Sequence, residues 1–140
     1  MAKRGMPLDR VLRVRTLQLN LVRTEEMRAQ ERVVGEVALR NRIRQLSAAV
    51  APATDATEAF SFIAAAHFRE RLSESASAAD TRVIAAEQRL EVASEATREA
   101  KRDQAAIEKL IARDAARDAL KAMRALEEAP PVRRNRHDPC

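Results

Sequence analysis

The stretch that decides the fold is ASAADTRVIAAEQRLEVASEATREAKRDQAAI, residues 76–107, the middle of a segment (53–129) that contains neither glycine nor proline. Proline costs roughly 3 kcal/mol inside a helix, and glycine costs about 1 kcal/mol relative to alanine. The segment is rich in Ala, Arg, Glu, Leu and Gln, which have high helix propensity. At about 1.5 Å per residue it would reach roughly 110 Å, far more than the width of a compact domain. The sequence therefore predicts one very long α-helix.

Small and apolar residues recur along this segment at intervals that alternate between three and four. This spacing is typical of the narrow contact seam of a left-handed coiled coil. Because most of the seam positions are alanine, two helices can approach closely there, but each residue buries little area. The predicted seam consists of Phe68, Leu72, Ser75, Ala79, Val83, Ala86, Leu90, Ala93, Ala96, Ala100, Gln104, Ile107, Ile111 and Ala115.

A first helix is predicted over residues 7–50, because Pro7 suits a first helical turn and Pro52 stops the helix. Residues 51–57 form the predicted turn. Within it Asp55 stands three residues before Glu58, which is the spacing of a capping box at the start of the second helix. The second helix is predicted over 58–129, and residues 1–6 and the basic tail 130–140 are predicted to be disordered. Two apolar stripes in the first helix are separated by the polar residues 23–28, where we expect a stutter or a bend. They consist of Val14, Leu17 and Leu21, and of Leu39, Ile43, Leu46 and Val50.

Together, the composition, the spacing and the predicted turn indicate an all-α fold. The expected architecture is an antiparallel two-helix coiled-coil hairpin with a longer, projecting second helix. Hydrophobic residues make up 46% of the 140 residues, but many are alanine and only three residues are aromatic. Such side chains can form a thin seam between two helices but not a thick core. Charged residues make up 34%, a fraction that long helices share with disordered tracts, so disorder is the alternative.

Charge favours pairing of the two helices within one chain. Residues 1–50 contain 11 Lys/Arg against 5 Asp/Glu, whereas residues 51–129 contain 12 against 15. Reversal at about residue 53 would place position i opposite roughly position 107 − i. Arg4, Arg10, Arg13 and Arg15 would then face an acidic ridge formed by Glu87, Glu91, Glu95, Glu99 and Asp103. The alternative is that the ridge is a solvated face that pairs with Arg98 and Arg102 of its own helix.

In this register the start of the first helix lies opposite about residue 100, so residues 101–128 of the second helix would project without a partner. A solitary helix is marginally stable in water, and an exposed apolar stripe usually binds a partner. The apolar residues of the projecting part are Ile107, Leu110, Ile111, Leu120, Met123 and Leu126.

At the opposite end, three phenylalanines fall just after the turn, where they are expected to join the bulky residues of the first helix. This cluster either locks the tip of the hairpin or exposes at least one side chain for another protein, because neighbouring helical positions cannot all face inward. The cluster consists of Leu39, Ile43, Leu46, Phe60, Phe62, Ile63 and Phe68.

No residue pattern indicates catalysis, a metal site or a cofactor. His67 and His137 lack metal-ligand spacing, Gly5 and Gly35 form no phosphate loop, and Cys140 is a single terminal thiol. We therefore expect a protein that is not an enzyme. The sequence pI is about 10.3, but acidic residues are interleaved and no aromatic platform exists, so specific nucleic-acid binding is not expected. The amino terminus has arginines where a secretory signal needs an apolar run, so a cytoplasmic protein is expected.

The residues also resemble the flagellar FliJ family and its YscO-type injectisome relatives. The resemblance rests on an opening PLDRVLRVR (7–15), on a two-helix hairpin with a longer second helix, and on AIEKLIAR (106–113) near its end. The chain departs from that pattern because it has no tyrosine or tryptophan and ends in a Pro-Pro-basic extension.

The resemblance implies a cytoplasmic, non-enzymatic component of the flagellar or type III protein export apparatus, peripheral to the inner membrane. Such a protein acts as a central stalk that binds a hexameric export ATPase and links it to the export gate, and export chaperones are a further implied partner. The expected ATPase contacts are Leu8, Leu12, Ile107, Leu110, Ile111, Leu120, Met123 and Leu126. The expected gate contacts are the residues of the phenylalanine cluster. The alternative function is a homo-oligomeric coiled-coil scaffold or a nucleic-acid-associated structural protein.

Overall fold

The computed structural model consists of two α-helices that pack side by side in opposite directions, which confirms the predicted all-α hairpin. Helix α1 spans Gly5–Ala49 and helix α2 spans Ala59–Glu127. The structure describes residues 5–50 and 59–131, with side chains from residue 7 and from residue 62 respectively. Residues 1–4, the predicted turn at 51–57 with Glu58, and residues 132–140 lie outside the described residues.

Helix α1 is continuous from Gly5 to Ala49, so residues 5 and 6 are helical rather than disordered as predicted. The polar stretch 23–28 contains neither a break nor a change of helix type. The 45 residues of α1 correspond to a length of roughly 67 Å. The reason for its continuity is that the contact seam passes through the polar stretch without a shift, at Val22, Glu26 and Ala29.

Gly35 lies on the exposed side of α1, and a Cβ atom added to it would meet nothing within 4 Å. We expect Gly35→Ala to raise the free energy of unfolding by about 0.5–1 kcal/mol, because alanine loses less backbone entropy in a helix. Urea unfolding followed by circular dichroism measures the change. Ala38→Gly, at an exposed position of the same helix, should lower stability by a similar amount. A Gly35→Ala protein no more stable than the parent would contradict the expectation.

Helix α2 contains 69 residues and extends for roughly 100 Å. It ends at Glu127, three residues before Pro130, and Arg124 lies in its last turn, where a basic side chain is favourable. The backbone amide of Glu128 donates to the carbonyl of Arg124 at 2.9 Å, and the amide of Ala129 donates to Leu126 at 3.4 Å. The helix therefore stops two residues before the predicted end at 129.

The two helices meet along a seam with heptad spacing, whose a and d positions face the partner helix. In α2 these positions are 69, 72, 76, 79, 83, 86, 90, 93, 97, 100, 104, 107 and 111, all buried or half-buried. Ten of the predicted seam residues are among them. Phe68, Ser75 and Ala115 are instead exposed, and Thr97 rather than Ala96 occupies the buried position. Among the residues with described side chains, the buried hydrophobic ones are Leu19, Ala79, Val83 and Ala86.

The first apolar stripe predicted for α1 is wrong, because Val14, Leu17 and Leu21 are 52%, 63% and 68% exposed. In the second stripe Ile43 and Val50 face α2, whereas Leu39 and Leu46 are exposed. Polar and charged side chains share the seam of α1 with apolar ones, so the longest apolar repeat does not mark the contact face. The observed seam of α1 is 8, 12, 15, 19, 22, 26, 29, 33, 36, 40, 43, 47 and 50.

The predicted register is also wrong, by about 12 residues. Five contacts between the described helices define the observed register: Arg15–Asp103, Thr16–Gln104, Glu36–Arg82, Arg40–Asp80 and Arg44–Asp80. The residue numbers add up to 118 or 120 in the first four pairs and to 124 in the last, so position i faces about 119 − i. The first residues of α2 therefore extend past the end of α1, and the midpoint of the hairpin lies near residue 60 rather than 53.

The acidic ridge does not face the amino-terminal arginines as a group. Arg15 pairs with Asp103 at 2.9 Å, but Glu91 and Glu95 pair with Arg98 and Arg102 of their own helix. Glu87 and Glu99 are exposed, and Arg4 lies outside the described residues. Apart from the Arg15–Asp103 pair, the structure therefore agrees with the alternative interpretation, a solvated face stabilised by pairs within α2.

Candidate interaction surfaces

The end of α2 projects beyond the start of α1. Since Gly5 faces about residue 114, the described residues of α1 provide no partner for α2 residues 115–127. In this projecting end, Leu120 is 56%, Met123 59% and Leu126 76% exposed. The projecting end is about half as long as predicted, because the register shift extends the paired region from about residue 100 to about residue 114.

The shorter overhang changes the environment of the other predicted ATPase contacts. Leu8, Leu12, Ile107 and Ile111 occupy seam positions and are half-buried, whereas Leu110 lies beside the seam and is 44% exposed. The projecting end and the start of α1 form an open concave surface. It is lined by Leu8, Asp9, Ile111, Asp114, Ala115, Arg117, Asp118 and Lys121.

At the opposite end, α2 begins before α1 ends. Since Ala49 faces about residue 70, α2 residues 59–69 extend past α1. Phe62 is 50%, Ile63 69% and Phe68 52% exposed, and Ile43 faces about residue 76 instead of a phenylalanine. The side chain of Phe60 lies outside the described residues. The predicted cluster is therefore dispersed by the register shift: Phe62 and Ile63 have no described α1 residue opposite them, and Leu39 and Leu46 lie beside the seam.

A polar cluster lies in the part of the paired region that is nearer the end of α1. Asp80 accepts a hydrogen bond from Arg44 at 3.0 Å and lies 3.9 Å from Arg40 Nε, while Arg82 Nε lies 3.5 Å from Glu36 Oε2. Glu36 Oε2 and Arg40 Nε are buried and make no hydrogen bond. Charged groups with incomplete hydrogen bonding contribute little stability, but they disfavour other alignments of the helices.

A second polar layer lies near the start of α1. The side-chain amide of Gln104 donates to Thr16 Oγ1 at 3.1 Å, and the Thr16 hydroxyl donates to the carbonyl of Leu12 at 2.9 Å. Arg15, the residue before Thr16, donates to Asp103, the residue before Gln104, at 2.9 Å. These groups meet only in the observed register, so the layer fixes how far α2 projects.

Sequence reasoning missed a groove between the helices. The part that we call the basic groove is lined by Ala29, Arg32, Glu36, Arg82, Ala85, Ala86 and Arg89. The next part carries two carboxylates and one arginine, and it is lined by Arg15, Gln18, Val22, Ala96, Glu99, Ala100 and Asp103. Both parts lie on the same side of the seam. Arg32, Arg82 and Arg89 all occupy position g of the heptad, and this shared position could have revealed the basic groove. The signal required the correct seam of α1, which the sequence did not indicate.

The described residues contain no group of three His, Cys, Asp or Glu side chains arranged to hold a metal ion. His67 is exposed, with Nδ1 3.8 Å from a carboxylate oxygen of Glu70 on the next turn. His137 and Cys140 lie outside the described residues. Neither described helix has a window long and apolar enough to cross a membrane.

Comparison with known proteins gives no match: no protein family profile, no curated protein and no solved structure is significantly similar to the chain. The interaction surfaces are therefore interpreted from their own geometry and chemistry.

Proposed function

We propose that the chain is a non-enzymatic stalk of a flagellar or type III protein export apparatus. In this proposal the start of α1 and the projecting end of α2 enter a hexameric export ATPase, and the opposite end of the hairpin faces the export gate. The protein would then be cytoplasmic and peripheral to the inner membrane, with export chaperones as a further partner class. The family resemblance of residues 7–15 and 106–113 supports the choice of this apparatus over other coiled-coil assemblies.

The observation that carries the proposal is the projecting end, residues 115–127. A helix of this length is marginally stable alone, and its exposed Leu120, Met123 and Leu126 would gain from burial. The central opening of a hexameric ring can surround such a helix on all sides. Leu120, Met123 and Leu126 recur at intervals of three residues, so they form a stripe on one side of α2 that the inner surface of the ring would bury.

The geometry narrows the set of expected ATPase contacts. Leu110, Leu120, Met123 and Leu126 are exposed and available to the ring. Leu8, Leu12, Ile107 and Ile111 are half-buried in the seam, so we assign them the role of holding the base of the projecting end. At the other end, Phe62, Ile63 and Phe68 are the most accessible candidates for the gate contact.

The test is stimulation of ATP hydrolysis by the purified hexameric export ATPase of the same organism. A triple variant, Leu120→Ser/Met123→Ser/Leu126→Ser, should abolish stimulation without lowering the stability of the paired hairpin. The matched control is Met27→Ser/Val34→Ser/Ile84→Ser, which removes three exposed apolar side chains from the paired region and should leave stimulation unchanged. Full stimulation by the first variant, measured alongside its circular dichroism, would contradict the proposal.

A second candidate function is a homo-oligomeric scaffold, favoured by the first predicted apolar stripe of α1, which does not face α2. Val14, Leu17 and Leu21 have helical spacing but face away from α2, so they could pack against another copy. Light scattering distinguishes the two functions. The stalk is expected to be monomeric, whereas the scaffold requires a dimer or larger assembly that Leu17→Ser/Leu21→Ser dissociates.

A further inference from the structure

The two sides of the hairpin differ in charge. In the heptad, positions g and c lie on one side of the seam, and positions e and b lie on the other. Within the paired region, α1 5–49 and α2 70–114, the g and c positions carry seven arginines and three carboxylates. The e and b positions carry five basic and six acidic residues. The basic residues of the first side are Arg28, Arg32, Arg42, Arg71, Arg82, Arg89 and Arg113, and the acidic ones are Glu25, Glu99 and Asp103.

The basic groove lies on this more positive side. Arg32, Arg82 and Arg89 surround a floor of small side chains, and Glu36 is the one carboxylate that lines this part of the groove. Arg82 contacts Glu36 at 3.5 Å, but neither Arg32 nor Arg89 has a carboxylate within 4 Å among the described residues. Two guanidinium groups at the rim are therefore available to a ligand.

The same side also presents apolar side chains. Val11 and Leu110 occupy g positions that face each other near the start of α1, and they are 40% and 44% exposed. Val14 lies one turn after Val11, and Leu21 lies two turns further along, both at c positions of α1. The distance along α1 from Val11 to Arg32 is 21 residues, roughly 31 Å, so one helix of similar length could cover both the apolar patch and the arginines.

We propose that the basic groove is the docking site for an acidic amphipathic helix of a partner protein, which packs as a third helix against the hairpin. Its apolar residues would cover Val11, Val14 and Leu110, and its carboxylates would pair with Arg32 and Arg89. Groove binding by an amphipathic helix is a common recognition mode, and the unpaired arginines select acidic partners. A second copy of this chain is disfavoured because face-to-face pairing would bring two arginine-rich sides together. This inference does not depend on the proposed export function.

The probe is a labelled amphipathic peptide of about 21 residues with leucines on one face and glutamates beside them, matched by a second peptide with lysines in place of the glutamates. Fluorescence anisotropy with the full chain measures each affinity. We expect the glutamate peptide to bind at least about tenfold more tightly than the lysine peptide. Arg32→Glu/Arg89→Glu should weaken binding of the glutamate peptide by about tenfold or more.

The matched control is Arg13→Glu/Arg23→Glu, which makes the same change in net charge at exposed positions on the other side of α1. It should change the affinity by less than about twofold, because those side chains are screened from the groove. Equal losses in the two variants would overturn the proposal, since only net charge would then matter. Two other results would also overturn it: self-association of the parent chain that Arg32→Glu/Arg89→Glu abolishes, and anionic-vesicle binding that this variant loses while peptide binding is unchanged.

Discussion

Val83→Asp is expected to unfold the hairpin. Val83 is 3% exposed and lies between Ala79 and Ala86, which are 0% and 7% exposed. An aspartate there would place a carboxylate in the tightest part of the seam, opposite about residue 36, where Glu36 already carries a carboxylate. Burying such an unpaired charge costs about 3–5 kcal/mol, which is comparable to the whole stability of a small thin-seamed protein. Far-ultraviolet circular dichroism should show a large loss of helix at room temperature.

The neighbouring residue provides a matched control. Ile84 is also β-branched but is 55% exposed, so Ile84→Asp should change the free energy of unfolding by no more than about 0.5 kcal/mol. Both substitutions have nearly the same effect on helix propensity and net charge, and the difference between them therefore measures burial alone. Similar stabilities for the two variants would contradict the assignment of the seam.

The seam of α2 could be predicted from sequence because its small and apolar residues carry the heptad repeat with little interruption. Leu72, Val83, Leu90 and Ile107 lie where the spacing placed them. The seam of α1 could not be found in the same way. Arg15, Glu26, Arg40 and Ser47 occupy its contact positions, while Val14 and Leu21 form a more apolar stripe on another face. Hydrophobicity alone therefore selects the wrong side of this helix.

The predicted register of the two helices was wrong for a different physical reason. The prediction assumed that the helices reverse at the proline-containing turn, so that each helix begins to pair as soon as it forms. In the structure the first turns of α2 extend past Ala49, and polar contacts such as Gln104–Thr16 and Asp80–Arg44 define the alignment. Contacts between single side chains are not visible in the average charge of two segments. The end of α2 therefore projects as predicted, but the projecting part is shorter than predicted.

The structure also separates residues that the sequence grouped together as one candidate site. Ile107 and Leu120 belong to one apolar stripe in the sequence, but Ile107 is half-buried in the seam, whereas Leu120 is 56% exposed. The functional consequence is that substitutions at Ile107 test hairpin stability, whereas substitutions at Leu120 test partner binding. The basic groove shows the converse effect, because Arg32 and Arg89 are far apart in sequence and line one surface only after the helices pair.

Glu26→Leu/Arg40→Leu is expected to stabilise the chain by about 2 kcal/mol and to reduce the uniqueness of its alignment. Both residues occupy a positions of α1, where they face about residues 93 and 79 of α2. Leucine at these positions would bury apolar area against alanines and would remove the buried Nε of Arg40, which makes no hydrogen bond. Asp80 would retain its hydrogen bond with Arg44 at 3.0 Å. Replacing partly buried charges by apolar residues is often neutral or stabilising for this reason.

The matched control is Glu31→Leu/Arg42→Leu, which makes the same chemical changes at exposed positions of α1 and should leave stability within about 0.5 kcal/mol of the parent. Urea unfolding gives the stabilities, and light scattering reports new oligomers.

If the charges specify register, the seam variant should form dimers or larger species that the control does not form. The reason is that a continuous apolar seam accepts more than one partner alignment. A seam variant that is less stable than the parent would show that Glu26 and Arg40 contribute net stability. A variant that is more stable and strictly monomeric would show that the Thr16–Gln104 and Arg15–Asp103 layer is sufficient to fix the alignment.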